Sequence, residues 1–368
     1  MAKAKISHII SDSNIGGAGV LLTSLTAALK DFFDIAVFLP KGARLAEPLS
    51  HAGATVYQVP MAADRSFRSG DVQGFFSVFK DFKADIAHTH GALSARLGAR
   101  LAGVRRCIST RHCATHSPSV SRKNVLQRRV YNFCTDLTVS TADFATKNLI
   151  AEGIPEDRIF TIKNGVKERE RTSAEERAAL RQKLGIPENA VILGCCARLE
   201  TVKGQDLIIS ALPWLLKRFP RIFLLLVGDG SRYSDLKRLA AGLGVLPRVK
   251  FSGFVENPAP YQNIFDINLN TSRGTETSCL AISECMSLGI PTVASDFGGN
   301  TEMISPYENG LLFTSDDSFS LCSAISELMR SRSLYTALSQ GAYDIYKRRF
   351  SIERMRDDYI SLYSRLLS

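Results

Sequence analysis

No Asp or Glu occurs in residues 86–135, a stretch that carries Arg96, Arg100, Arg105, Arg106, Arg111, Arg122, Lys123, Arg128 and Arg129. Such a run in a chain of net charge +10 excludes an evenly balanced surface. It points to an anionic partner (phosphate, a lipid headgroup surface or nucleic acid) or to a solvated basic face. Aromatic residues in the later part of this stretch are limited to Tyr131 and Phe133, which argues against a stacking platform for nucleic acid. No Asp-x-Asp occurs, and the two Asp-Asp pairs, Asp316-Asp317 and Asp357-Asp358, fall in a loop and on an exposed helix. A magnesium–diphosphate site therefore has no evident ligands, and no metal is expected. The eight cysteines show no paired ligand spacing. They read as buried thiols of a reducing compartment rather than disulfides or a zinc site. No apolar run approaches the roughly 20 residues needed to cross a bilayer. The basic start of the chain is not followed by a signal-peptide core, so a cytoplasmic protein is expected.

Short apolar runs alternate with amphipathic segments throughout the 368 residues. Strands are expected at 6–10, 35–39, 55–59, 86–90, 106–110 and 137–140, with helices at 19–30, 73–83 and 94–102. The pattern restarts with strands at 190–196, 222–227, 249–251, 264–269 and 291–295 and helices at 205–218, 233–242 and 280–288. This describes an α/β chain of two doubly wound, Rossmann-like domains, each with a parallel sheet covered on both faces. The expected boundaries are 1–166, 167–348 after a charged linker, and a last helix within 349–368. Two such domains facing each other would turn their strand C-termini to a shared cleft, where ligands bind.

The segment from Ser272 to Pro291 holds two carboxylates, Glu276 in a loop and Glu284 inside a helix N-capped by Ser278 and stopped by Gly289. Free amides and the positive helix end between them suit a phosphate. The loop carboxylate can hold sugar hydroxyls and the helical one a ribose. Asn14-Ile-Gly-Gly-Ala-Gly19 opens the first helix, so Gly16 and Gly17 can admit a ligand to the backbone or simply form a tight turn. Ala197-Arg-Leu-Glu-Thr-Val-Lys-Gly204 sets Arg198 and Lys203 at a strand end, as a diphosphate requires. Gly228, in Val227-Gly-Asp-Gly230, either lines the cleft or makes a turn. His112 follows another strand end and can hydrogen-bond a substrate near its reacting carbon. His88, His90 and His116 lie nearby, but the stretch offers no acid or cysteine pair to complete a metal site.

Together with Lys163-Asn-Gly-Val166, Val249-Lys-Phe-Ser-Gly-Phe254, Gly289-Ile-Pro-Thr-Val-Ala-Ser-Asp-Phe-Gly-Gly299 and Asn309-Gly-Leu-Leu312, these motifs make the chain resemble the GT4 family of retaining glycosyltransferases with the GT-B fold. The resemblance runs the whole length and is strongest from 191 to 312. It implies that Arg198 and Lys203 hold the donor diphosphate, Glu284 the ribose and Glu276 the donor sugar, with His112 beside the anomeric centre. Gly16 would let the first loop approach the donor phosphates or the acceptor. Backbone amides of Ser278, Cys279 and Leu280 would bind sugar or phosphate. The last helix would brace the N-terminal domain, and no metal or other cofactor is needed. Thr277-Ser278-Cys279 departs from the small-residue run that the family places after its first glutamate.

The expected function is therefore transfer of a sugar, with retention, from a nucleotide-sugar, by family default a UDP-sugar. The acceptor is a glycan or lipid-linked glycan of envelope or exopolysaccharide synthesis. With no nucleophile placed below the sugar, a front-face substitution follows, in which the leaving phosphate takes the acceptor proton; domain closure would exclude water. A segment at 121–131 can form a helix with Arg122, Lys123, Arg128 and Arg129 against an anionic membrane on the cytoplasmic face, or pack as an ordinary core helix with a basic outer side. The alternatives are another enzyme of the same fold, such as a sugar-nucleotide epimerase or a phosphorylase, and a basic nucleic-acid-binding protein.

Overall fold

The computed structural model describes residues 3–112, 122–274 and 276–368, with the side chains of 122–127 left aside. Cys113, His116, Thr275 and the side chains of Arg122 and Lys123 thus lie outside the described residues. The chain divides into two compact units, Met1–Val166 with Ile352–Ser368, and Lys167–Ser351.

The first unit carries a seven-stranded sheet in the order β3-β2-β1-β4-β5-β6-β7. Its strands are β1 (Lys5–Ile10), β2 (Asp34–Pro40), β3 (Thr55–Val59), β4 (Ile86–His90), β5 (Arg106–Arg111), β6 (Leu137–Ser140) and β7 (Ile159–Thr161). All pairings are parallel. β1 and β4 are buried almost throughout, as strands covered on both faces must be. The helix Ile352–Leu367 belongs to this unit and buries Ile352, Met355, Tyr359, Leu362 and Tyr363.

The second unit carries a six-stranded parallel sheet in the order β10-β9-β8-β11-β12-β13. The strands are β8 (Val191–Cys196), β9 (Ile222–Val227), β10 (Val249–Phe251), β11 (Ile267–Asn270), β12 (Thr292–Ser295) and β13 (Gly310–Phe313). Within β8, Gly194 is obligatory: a Cβ there would stand 2.1 Å from the Phe265 ring. The unit runs on to Ser351 rather than ending at 348, because a π-helical turn, Tyr346–Phe350, buries Tyr346 and Phe350 there. In both sheets the strand order reverses beside the first strand, between β1 and β4 and between β8 and β11. In doubly wound sheets that switch point is where ligands bind.

Two expected elements shift. β11 begins at Ile267 instead of 264, because Ile264 and Phe265 are buried in a turn closed by Ile264 N–H to Tyr261 O at 3.2 Å. The first helix starts at Gly17 rather than 19, with Gly16 extended at its N-cap. Among the described residues no helix is long and apolar enough to cross a membrane. The seven described cysteines are free and buried or half-buried, and burial pushes the Cys195 and Cys279 thiols up to about 12.

Four histidines of the first unit are held neutral. Burial lowers His8 from 6.5 to about 3 and His112 to about 4, and holds His88 and His90 well below 6.5. The unfolded chain takes up these protons near 6.5 and the folded one does not. Their contribution is therefore intact above that pH and is lost as pH falls towards 4, at roughly 1.4 kcal/mol per pH unit for each histidine. Urea denaturation at pH 7.5 and pH 5, followed by hydrogen exchange in β1 and β4, should show a marked loss of protection at the lower pH. Equal protection at both would contradict these neutral states.

Candidate functional site

The second unit assembles its polar groups at the switch point between β8 and β11. After β8 the chain turns through Ala197 to Gly204, and Gly204 adopts φ +67° at the N-cap of the helix Gln205–Arg218. A Cβ on Gly204 would lie 2.2 Å from the Thr271 carbonyl oxygen. That approach brings Lys203 against the loop that follows β11. Lys203 Nζ donates to Glu276 Oε2 at 2.5 Å, and Ser272 Oγ donates to the same oxygen at 2.8 Å. Thr271 Oγ1 closes the junction by donating to Lys203 O at 2.9 Å. The pair is mostly buried, with side chains 19% and 8% exposed. Burial opposes the charge on Lys203, but Glu276 beside it prevails and its pKa rises.

The Glu276 loop is fixed from behind by glycine contacts. Gly299 N–H donates to Glu276 O at 3.0 Å. A Cβ on Gly299 would lie 1.8 Å from the Thr277 carbonyl oxygen, and one on Gly298 (φ +55°) 2.5 Å from that of Glu276. The pair Gly298-Gly299 therefore lets one backbone press on another. Ser295 Oγ donates to Ser272 O at 2.6 Å and Asn300 Nδ2 to Ser295 Oγ at 3.1 Å, completing a buried support.

Glu284 sits in the helix Leu280–Ser287, buried like Glu276. Arg169 donates to its Oε1 and Gln262 Nε2 to its Oε2 at 2.6 Å. Neither partner is legible in the sequence, since they lie 115 and 22 positions away. Gln262 Oε1 and Arg169 Nε are buried with no hydrogen-bond partner, an arrangement native proteins avoid unless a ligand or water completes it. The N-cap of this helix is Cys279, not Ser278: no side-chain cap bond forms, and Cys279 O accepts from Ser283 N–H at 3.4 Å. Ser278, Cys279 and Leu280 are half-buried at this helix start. With its pKa pushed up by burial first and by Glu276 second, Cys279 is a thiol at neutral pH and no nucleophile.

Arg198 is exposed on the loop after β8. Gly228 has a backbone duty: at φ +134°, its Cβ would lie 2.2 Å from Ala197 O. With Gly230 against Leu199 O, it presses the turn after β9 onto the Arg198 loop. Glu200 accepts from Ser231 Oγ at 2.8 Å and from Ser231 N–H at 3.2 Å, which holds its carboxyl below the usual range and ties the same two loops.

In the first unit, Gly16 and Gly17 are exposed and nothing lies within 4 Å of a Cβ built on either. No neighbour in the fold demands glycine there; the crowded position is Gly19, against Leu45. His112 follows β5, and its Nε2 meets His90 Nδ1 at 2.8 Å. Arg111 pairs with Glu152 at 3.2 Å. A cavity of about 640 Å³, lined by Arg100, Arg106, Arg158 and Arg365 among others, lies at the opposite, N-terminal ends of β5 and β6.

This architecture matches a known class. The family model described as Glycosyl transferases group 1 matches residues 176–345, and that described as Glycosyltransferase Family 4 matches residues 15–170. HepE from Anabaena, solved with UDP, superposes with a TM-score of 0.85 over 98% of this chain and 100% of that one at 22% identity. A glycosyltransferase from Rickettsia africae superposes at 0.86 over 100% of both chains at 20% identity. These structures establish the fold as GT-B. The lipopolysaccharide core biosynthesis glycosyltransferase LpsE of Rhizobium meliloti is 30% identical over 182 residues, 50% of this chain and 52% of the relative. A GDP-mannose-dependent phosphatidylinositol monomannoside mannosyltransferase of Mycolicibacterium smegmatis is 29% identical over 63% of each chain. The match thus spans about half the length of the first relative and under two thirds of the second. The chain belongs to the group 1 glycosyltransferases.

Lys203 and Glu276 are each buried on the strength of the other. Lys203→Met alone leaves a buried carboxylate unpaired and should cost about 3 kcal/mol. Adding Glu276→Gln should recover a large part of that loss. Urea denaturation of the two single variants and the double variant checks this, and strictly additive losses would show the pair to be uncoupled.

Proposed function

We propose that this protein transfers a sugar, with retention of configuration, from a nucleotide-sugar to a glycan or lipid-linked glycan of the cell envelope. The observation that carries the reading is the set of buried polar groups at the β8/β11 switch point: the Lys203–Glu276 pair and, on the adjoining helix, Glu284 beside the unpartnered Gln262 Oε1 and Arg169 Nε. A carboxylate with two bonds already made still has lone pairs for two ribose hydroxyls. Gln262 Oε1 can accept from the same nucleoside.

In this reading Lys203 spends one N–H on Glu276 and offers the others to the diphosphate. Arg198, exposed earlier on the same loop, adds a second, planar donor set. As the glycosyl–phosphate bond breaks, negative charge grows on the leaving diphosphate, and these preformed cations stabilise it without reorganisation. The acceptor oxygen bonds to the anomeric carbon from the side the phosphate leaves, and its proton passes to the departing phosphate oxygen. Glu276 orients the sugar through its hydroxyls, and His112 stands near the reacting carbon. Gly16 and Gly17 leave the first loop open to donor phosphates or acceptor, and the amides at 278–280 take a sugar or phosphate oxygen. Cations alone neutralise the diphosphate in this scheme, so no metal enters it.

The donor we favour is a UDP-sugar, supported by HepE structures solved with UDP and with UDP-glucose. The mannosyltransferase relatives named as GDP-mannose-dependent supply the competing base. Relatives named for lipopolysaccharide core and O-antigen synthesis support an envelope acceptor. Such an acceptor is met on the cytoplasmic face of the membrane. Arg128 and Arg129 are exposed, and we assign them to anionic headgroups; the expected part of Arg122 and Lys123 lies outside the described residues.

A thermal-shift panel of UDP- and GDP-sugars tests the donor directly: at 100 times Kd the folded state gains about 2.7 kcal/mol, and no shift with any nucleotide-sugar would sink the reading. Arg198→Ala removes an exposed side chain and should leave stability unchanged while kcat falls about 100- to 1000-fold; near wild-type transfer would remove Arg198 from the mechanism. Sedimentation with anionic vesicles at low salt should retain the protein and release it as salt rises. Absence of binding at low salt would contradict the membrane contact.

A further inference from the structure

The first unit holds a cationic cavity that the proposed transfer reaction does not use. Strands β5, β6 and β7 lie side by side. Arg106 opens β5, Asp136 directly precedes β6 and Arg158 directly precedes β7, so parallel pairing gathers these three side chains along one edge of the sheet. The last helix ends at the same place: Arg106 Nε donates to Leu366 O at 3.0 Å. Arg365 thereby joins Arg100, Arg106 and Arg158 in lining the cavity of about 640 Å³, and Asp136 is the one acid among its described lining residues.

The fold accounts for only part of this charge. Both Asp136 oxygens are engaged, Oδ1 with Arg100 Nη2 at 2.6 Å and Oδ2 with the Cys107 N–H at 2.7 Å. Arg100 also donates from Nη1 to Arg105 O at 3.3 Å, so it is a strut of the wall. Arg158 donates from Nη1 alone, to Asn132 O at 3.3 Å. The Nη groups of Arg106 and the whole guanidinium of Arg365 have no partner among the described residues. Three guanidiniums therefore share one concave wall with no carboxylate left to pair them. Like charges so placed repel one another and focus a positive potential, which a bound anion turns to advantage.

The lining narrows the anion. Its cations are arginines without a lysine, and the planar fork of arginine matches phosphate oxygens two at a time. The volume falls within the roughly 300–1,000 Å³ of small-ligand pockets, not the open groove that a nucleic acid needs. Phe133, 62% exposed, gives the wall an apolar edge for an organic part. We propose that this cavity binds the phosphate or diphosphate group of a small organic phosphate through Arg106, Arg158 and Arg365. A soluble phosphate ester and the headgroup of an acidic phospholipid share this chemistry. Nothing in it depends on the nucleotide-sugar chemistry of the second unit.

Two probes test it on the full chain. The first is inorganic pyrophosphate, read by hydrogen exchange: slowed exchange at residues 136–138 and 158–160, followed against concentration, reports the cavity separately from any binding in the second unit. The second is sedimentation with phosphatidylcholine vesicles containing phosphatidic acid. Arg158→Ala/Arg365→Ala changes two exposed side chains and should fold normally. Affinity for the recognised probe should fall about 100-fold, because each lost fork removes charge-assisted bonds. Lys237→Ala/Arg238→Ala removes the same two charges from an exposed helix face of the second unit and should bind as the wild type does. Pyrophosphate protection lost in Arg158→Ala/Arg365→Ala assigns a soluble phosphate; vesicle binding alone lost in it assigns a lipid headgroup. The proposal is overturned if neither probe binds at the cavity, if Arg158→Ala/Arg365→Ala leaves both unchanged, or if the two double variants lose affinity equally.

Discussion

The second unit depends on one close approach: the loop after β8 lies against the loop after β11 so tightly that Gly204 has room for no side chain beside Thr271 O. That contact puts Lys203 on Glu276. A lysine and a glutamate mostly removed from water are tolerable only as a pair, so the geometry that joins the loops also gives each side chain its partner. The glycines at 298 and 299 perform the same service from the other side, letting a third loop press on the Glu276 backbone. The polar site is thus a by-product of backbone packing at the switch point of a parallel sheet.

The first unit uses a different constraint. It buries imidazoles in a row between β1, β4 and β5 and closes the row with Tyr363 from the end of the chain. Each bond in the row fixes the tautomer of the next ring, so the imidazoles are satisfied together rather than one by one. Residues from opposite ends of the sequence are thereby tied to the environment of His112.

Much of the fold is legible in the sequence wherever an apolar run of strand length is bounded by clear caps. β9 at Ile222–Val227 and the helix Gln205–Arg218 are of this kind. β7 and β13, edge strands of their sheets, were not read as strands, although the equally short β6 and β10 were; β11 was displaced by Ile264 and Phe265, which are buried without being strand. Lys203, Glu276 and Glu284 were legible as a motif, and the structure brings the first two into contact. Arg169 and Gln262 were not, because their relation to Glu284 exists only after the helix and the linker have packed. Likewise His88 and His90 could be placed on one face of a strand, but His8 and Tyr363 join them only through sheet register and the return of the last helix. The turn at Gly228, which in sequence can either line the cleft or simply turn the chain, presses on the Arg198 loop.

The central claim is that the β8/β11 switch point receives a nucleotide diphosphate, with its ribose on Glu284. A crystal structure of the full chain soaked with a non-hydrolysable UDP-sugar tests it most directly. The account requires ribose hydroxyls within hydrogen-bond distance of Glu284, diphosphate oxygens beside Lys203 and Arg198, and Gln262 Oε1 no longer unpartnered. A nucleotide bound elsewhere, with the Glu284 and Gln262 groups unchanged, would contradict it.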